Sequence, residues 1–347
     1  MKPFSQAFMI AAMCAGLTAP ATLAQPLFDE AVSGDIEDTD LGDLGPGRNT
    51  VLGSVDSTLT GNDNFTFNVP TGRQLVGGVL DVSINDSSTS NADVSAALLT
   101  PDEEDLAFGT FSRDGRFVLP IADPQMPLPQ PAGNGYGGFV ALTGLASGAS
   151  ADYDLSLITA GPTKRATLDP GPVGSTFEDI TLNTNAFNGD GFNGDGFVFN
   201  ADFGGKAIEY TTGLLFIQLG LQFEDDPFDN ATLDAEALSA RLIGTDGFDD
   251  FFVGEVGAGS GDTNTPGVST LLINFFDDST TGGPPAGFTF SGIEILGLLP
   301  TDANAVINTE LRIGTEFGTP TSFTVVPEPA TLALLALGGV TLLRRSR

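Results

Sequence analysis

Histidine is absent from the 347-residue chain. With it go the usual general base, the Ser-His-Asp triad and the commonest transition-metal ligand. The one cysteine, Cys14, lies in a segment with the layout of a cleaved leader. The remainder therefore has no disulfide, no thiolate nucleophile and no zinc-thiolate site, and any extracellular stability must come from packing or from ions. Tryptophan is also absent and tyrosine numbers 3, so the flat aromatic platforms of sugar-binding surfaces are scarce, although the 27 phenylalanines could stack in their place. Positive charge is short too. Thirteen Lys and Arg face 45 Asp and Glu, a formal charge of -32 that repels phosphate backbones and excludes nucleic acid as a partner. Against these shortages, hydrophobic residues make up 41% of the chain, enough for real cores and against intrinsic disorder. The acidity then reads as a solvated surface.

Lys2 is followed by an apolar run from Ala7 to Leu17 and by small residues that offer cuts after Ala21 or Ala24. This is the layout of a secretory signal peptide, residues 1–24, handled by the Sec export machinery. The run is too short to span a bilayer and leads at once into Pro20 and an acidic stretch. A lipoprotein is disfavoured, because Met13 rather than a small residue precedes Cys14.

The other end has three parts in a fixed order: Pro327-Glu328-Pro329, the apolar segment Ala330–Leu343, and a basic stop cluster of Arg344, Arg345 and Arg347. In order, length and terminal position, residues 326–347 resemble the PEP-CTERM sorting signal. The resemblance implies that a membrane protease-transpeptidase of the exosortase type cuts near Pro327-Glu328-Pro329 and hands the protein to the envelope or the extracellular matrix. Elementary dimensions agree. A helix over 330–343 would be about 21 Å long, short against a hydrocarbon core of about 30 Å, which suits transient membrane insertion. The arginines would stay cytoplasmic and leave the acidic body outside. A permanent C-terminal anchor is the alternative. The two ends hold Lys2 and three arginines but only Glu328 among the acids, so their removal leaves 9 basic against 44 acidic residues. Such a body attracts divalent cations.

Between the ends, short apolar alternations are broken by Gly, Pro, Asn and Asp. Phe65–Val69, Leu75–Ile84, Val94–Leu99, Phe117–Ile121, Gly138–Leu142 and Leu155–Ile158 read as half-buried strands. Their spacing predicts an antiparallel β-sandwich over 27–160. The Pro- and Gly-rich stretch Asp123–Gly138 reads as a long exposed loop. Residues 161–172, with Gly161-Pro162 and Asp169-Pro170-Gly171-Pro172, read as a linker. Strands recur at Phe197–Phe199, Gly213–Phe223, Ser269–Phe276, Gly287–Leu299 and Ala305–Ile313, with a helical piece expected at Leu233–Leu242 from its run of good helix formers. The fold class is therefore all-β: two antiparallel, jelly-roll-like β-sandwich domains, 27–160 and 173–325, plus the signal peptide and a C-terminal hydrophobic helix. Three segments of the first domain, Asp63–Pro70, Ala92–Asp102 and Asp152–Leu157, resemble the early, middle and closing strands of the bacterial pre-peptidase C-terminal (PPC-like) module. That resemblance implies an accessory or adhesive domain.

The most distinctive internal motif is the tandem Phe187-Asn188-Gly189-Asp190-Gly191 and Phe192-Asn193-Gly194-Asp195-Gly196. Asn188, Asp190, Asn193 and Asp195 offer hard oxygen ligands for Ca²⁺, but the spacing matches neither an EF-hand nor a sustained β-roll. The plainer reading is a pair of Asn-Gly and Asp-Gly turns with Phe187 and Phe192 in the core. Glu224-Asp225-Asp226, Asp249-Asp250 and Asp277-Asp278 could supply paired carboxylates for glycoside hydrolysis, yet no spacing says that they meet. The Thr-containing strands lack the regular array of an ice-binding face. Two functions remain. The first is a non-enzymatic structural or adhesive protein of the surface or matrix, with no cofactor other than Ca²⁺ and with extracellular polysaccharide as a partner. The alternative is a secreted carbohydrate-binding or carbohydrate-active protein, whose groove would be lined by Phe, Tyr136 or Tyr153 and several acids.

Overall fold

The computed structural model describes residues 26–56, 62–85, 92–121, 130–143, 148–188, 194–210, 215–223, 236–244, 255–256, 268–275, 287–299, 306–315 and 322–328. Its one helix among these, Glu30–Ser33, is a single turn; the rest of the regular structure is strand. No described helix is long and apolar enough to cross a membrane, and the expected helix at 330–343 lies outside the described residues.

The strands form a 12-stranded sheet and two 5-stranded sheets. In the N-terminal half, a 5-stranded sheet (Thr39–Asp43, Asn62–Val69, Gly133–Thr143, Asp93–Leu99, Asp105–Phe111) lies over part of the large sheet (Gly47–Asp56, Ser150–Ala160, Gln74–Asn85, Gly115–Pro120). Alternation makes this possible. In Asn62–Val69 the buried residues are Asp63, Phe65, Phe67 and Val69, with the intervening Asn64 and Thr66 exposed. Those apolar side chains join Val51, Leu80, Val94, Leu155 and Leu157 in one core. The C-terminal half repeats the plan. Asp179–Thr184, Val306–Thr315, Leu215–Phe223, Val268–Phe275 and Glu255–Val256 make the other 5-stranded sheet. Leu215, Ile217, Leu219 and Leu221 face Phe199, Ile293, Ile295 and Phe323 in a second core. Most pairings are antiparallel; short parallel ones tie Thr39–Asp43 to Asn62–Val69 and Lys164–Thr167 to Gly196–Asp202.

The halves touch through a third, smaller cluster. Val76, Val79, Ile158 and Ala160 pack on Val198, Leu238, Leu296 and Leu298, the back faces of their respective strands. The two halves of the large sheet meet where Ala160 pairs with Gly196.

Three expectations are corrected. The helical piece at Leu233–Leu242 is, over its described part, the strand Glu236–Gly244, paired antiparallel with Thr289–Leu298. Leu238 joins the cluster between the halves while Ala240 and Leu242 join the second core, so burial on both faces overrides the helix preference of Ala, Glu and Leu. The segment 161–172 is no free tether: Lys164–Thr167 runs beside Gly196–Asp202, Leu168 is buried, and the Lys206 ammonium holds the following turn through Asp169 and the Gly171 carbonyl. Finally, the latter part of Asp123–Gly138 belongs to the strand Gly133–Thr143. Its glycines suggested a loop, but Gly138 is small because a Cβ there would run into the ring of Phe65 on the neighbouring strand.

Candidate functional site

The C-terminal strand Phe323–Pro327 lies between Lys206–Tyr210 and Thr176–Phe177. Phe323 and Val325 are fully buried, and the Phe323 ring stacks on Phe177 with centroids 5.4 Å apart. Pro327 pairs with Lys206, the last register position, where a missing N–H is tolerated. The Glu328 N–H then donates to the Gly205 carbonyl at 3.2 Å. The folded body thus extends into the first two residues of the expected sorting motif. Pro329, Arg344, Arg345 and Arg347 lie outside the described residues.

In the tandem motif, Phe187 is fully buried against Phe197 and Phe199, with ring centroids 5.5 and 5.6 Å away. The Asn188 N–H closes a turn on the Asn185 carbonyl at 3.0 Å, and its backbone bridges to Val306. The Asp195 carboxylate is gripped by both terminal nitrogens of Arg73, from the other half. Asp190, Phe192 and Asn193 lie outside the described residues, as do the acidic groups at 224–226, 249–250 and 277–278.

A cluster that the sequence did not single out lies at the N-terminal end of the body. Glu30, Asp35 and Asp63 bring carboxylate oxygens within 4.8 Å of one another. Glu30 starts the single-turn helix, which Asp29 caps by accepting the Ala31 N–H at 3.0 Å. Its own carboxylate accepts from the Ser54 N–H at 2.6 Å and the Ser54 hydroxyl at 3.1 Å. Asp63 is 4% exposed and accepts from the Tyr153 hydroxyl at 2.7 Å. Tyr153 reaches it because its ring lies flat over Gly53, where any Cβ would collide with it. A recess of about 510 Å³ opens beside the group, lined by Glu30, Asp35, Ser54, Asp152 and Tyr153 among others.

The electrostatics of this group follow from burial. Desolvation pushes Asp63 up to about 7, the Tyr153 hydrogen bond opposes that shift, and the nearby charges of Glu30 and Asp35 add to it. Glu30 is also raised, mainly by burial, against the two Ser54 hydrogen bonds. The Tyr153 hydroxyl is driven well above its ordinary range by burial and by the Asp63 charge, so it stays protonated and donates to Asp63. Three carboxylates this close can share protons or take a hard cation through oxygen. Asp63 and Tyr153 each lie on a strand, Asn62–Val69 and Ser150–Ala160, but nothing in the sequence says that Glu30 and Asp35 fold back to meet them. The two tyrosines expected in a sugar groove are internal. Tyr136, 3% exposed, stacks on Phe67 and donates to the Pro131 carbonyl at 2.8 Å; Tyr153 is buried on Asp63.

Residues 325–347 match the PEP-CTERM protein-sorting motif. A chain that carries it is exported and is delivered to the cell surface or beyond by an exosortase. No curated protein matches the sequence. Among solved structures, the PBSX exported protein XepA aligns at 10% identity over 79% of this chain and 84% of its own, with a TM-score of 0.19. A putative secreted protein from Parabacteroides distasonis ATCC 8503 aligns at 8% identity over 77% and 89%, also at 0.19. A carbohydrate-binding module of the β-sandwich superfamily aligns at 11% over 74% and 97%, at 0.18. Scores this low carry no argument about function.

Proposed function

We propose that this protein is a non-enzymatic structural or adhesive component of the cell surface or extracellular matrix. Two acidic β-sandwich modules, 27–160 and 173–325, form its working body, and exosortase cleavage near Pro327-Glu328-Pro329 puts that body in place. The observation that carries the reading is the junction at Pro327. The last strand of the body is packed through Phe323 and Val325 and closes at Pro327 and Glu328, where the sorting motif begins. Phe323 and Val325 both precede Pro327, so a cut after it leaves these buried side chains in the body. Composition supports a role without catalysis, since a chain with no histidine and a single leader cysteine lacks the commonest acid-base and nucleophilic groups.

The test is the intact mass and location of the native protein in cells with and without their exosortase-type protease. A mature species that starts near Gln25, ends close to Pro327 and is found outside the cell is expected. A full-length C-terminus held in the membrane under both conditions would overturn the reading. In parallel, incubation with a panel of polysaccharides should release no new reducing ends.

A further inference from the structure

The outer face of the C-terminal 5-stranded sheet differs from the rest of this acidic surface. Asp179–Thr184, Val306–Thr315 and Leu215–Phe223 lie side by side in the register Asn183↔Glu310↔Gly220 and Thr181↔Arg312↔Gln218. The inward residues Leu219, Leu311 and Leu182 fill the core, so the alternate positions face outward. There the sheet carries a groove of about 530 Å³, lined by Asn183, Gln218, Gln222, Asn308, Glu310 and Arg312. Gly220 forms its floor between two of the chain's seven glutamines.

We infer that this groove binds a neutral, hydroxyl-rich saccharide chain. Each amide presents a donor and an acceptor side by side, which is what vicinal hydroxyls, themselves donor and acceptor, require. Glu310 adds a pure acceptor and Arg312, whose charge is met by Asp179, a pure donor. Among the described residues that line the groove none has an apolar side chain, which suits hydroxyls better than a lipid tail. It runs over the face of three adjacent strands and not along the sheet edge, so its own lining engages a ligand through side chains and not by strand addition. The charge of -32 repels an acidic glycan.

The lining is held in place. The Arg312 guanidinium is clamped by both Asp179 oxygens and lies 5.3 Å from the Phe216 ring centroid. Asn308 donates to the Gln222 carbonyl oxygen at 2.9 Å. Gln218 to Gln222 spans about 13 Å along the strand and three strands span about 10 Å across, room for a short run of sugar rings. With no ring as a platform, a single groove binds weakly, and display of many copies at a surface supplies the avidity.

This inference rests on the surface reading above, and its test separates the two. The native secreted protein is run through native gels containing dextran, glucomannan, galactan, alginate or hyaluronan. At least one neutral polysaccharide should retard it, and Gln218→Ala/Gln222→Ala should weaken that retardation at least tenfold. Gly220→Val is the second variant. A Cβ at Gly220 meets only ordinary contacts, 3.6 Å from the Glu310 carbonyl oxygen, so the variant fills the groove without straining the strand. Both variants should keep the wild-type unfolding midpoint and still reach the cell exterior. Retardation by no neutral polysaccharide, by acidic ones alone, or equally for wild type and variants would overturn the groove, while export and C-terminal cleavage of the same samples would leave the sorting reading standing.

Discussion

Arg73 and Asp195, 122 positions apart, form a two-pronged ion pair across the seam between the two halves. Arg73 also donates to the carbonyl and the hydroxyl of Thr159, at 3.1 and 3.2 Å, one residue before the point where the two halves of the large sheet join. One side chain therefore ties the end of the first half to the start of the second. The pair is partly screened, with side chains 18% and 33% exposed, so its contribution is moderate. Arg73→Leu should lower stability by about 1–3 kcal/mol in urea titrations. Asp195→Asn should cost a similar amount. The double variant should lose much less than the sum of the two, because both remove one contact. A fully additive double variant would show that the contact does not couple the halves.

The buried Asp63 makes stability depend on pH in a direction opposite to that of an ion-paired carboxylate. Its folded pKa, about 7, lies above its ordinary value near 3.8, so between these the folded state holds a proton that the unfolded chain has released. Stability from this group is complete below pH 4 and is lost as pH rises through 7. Asp63→Asn keeps the shape and the acceptor for the Tyr153 hydroxyl while removing the titration. Thermal melts should show the wild type weakening between pH 5 and pH 8 by about 2–4 kcal/mol and the variant much flatter. Equal slopes for the two proteins would place the titrating group elsewhere.

The sorting motif begins inside the sheet, which bears on how it is cut. A protease binds its substrate extended, whereas Pro327 is paired with Lys206 and the Glu328 N–H is bonded to Gly205. Inserting a short Gly-Ser spacer between Val326 and Pro327 moves the motif clear of the sheet without touching the buried Phe323 or Val325. Pulse-chase labelling should show faster conversion to the short form than in the wild type. An unchanged rate would mean that the strand end opens freely before cleavage.

The strand-rich fold was legible because period-two burial is written directly in runs such as Phe65–Val69 and Gly213–Phe223. What failed did so for identifiable reasons. Glu236–Gly244 alternates only briefly, at Leu238, Ala240 and Leu242, and its composition of Ala, Leu and Glu favours a helix, whereas burial in two clusters makes it a strand. Gly133–Thr143 hides a strand behind glycines that make room for Phe65 and Leu99. The sorting tail was legible because it is linear and needs no fold. The carboxylate group was not, since Glu30, Asp35, Asp63 and Tyr153 come together only through the pairing of Gly47–Asp56 with Ser150–Ala160 and the return of the N-terminal segment. The amide groove was half visible, as Gln218 and Gln222 flank Gly220 on one face of a strand, but its other wall comes from residues far along the chain.

Glu294 supplies the sharpest test of how the large sheet tolerates charge. It is buried on the central strand Thr289–Leu298, with Arg241 opposite on one neighbour at 2.8 Å and Asn200 on the other at 3.3 Å. Burial raises its pKa even though Arg241 and Asn200 both favour the charged form. Removing Arg241 alone takes away the largest compensation of that buried charge and leaves Asn200 and the charge of Arg165, so Arg241→Met should cost about 3 kcal/mol. The loss should be smaller at pH 5 than at pH 8, because a protonated Glu294 needs no counter-charge and a raised carboxyl pKa yields stability below it. Replacing both residues, Arg241→Met with Glu294→Met, substitutes apolar packing for an ion pair beside the small cluster of Val198 and Leu296, which shares that alternate set of strand positions. The double variant should then match or exceed the wild type in urea. If it is instead as unstable as Arg241→Met alone, Glu294 stabilises the sheet through the hydrogen bond it accepts from Asn200 and the pair does not merely cancel its own charge.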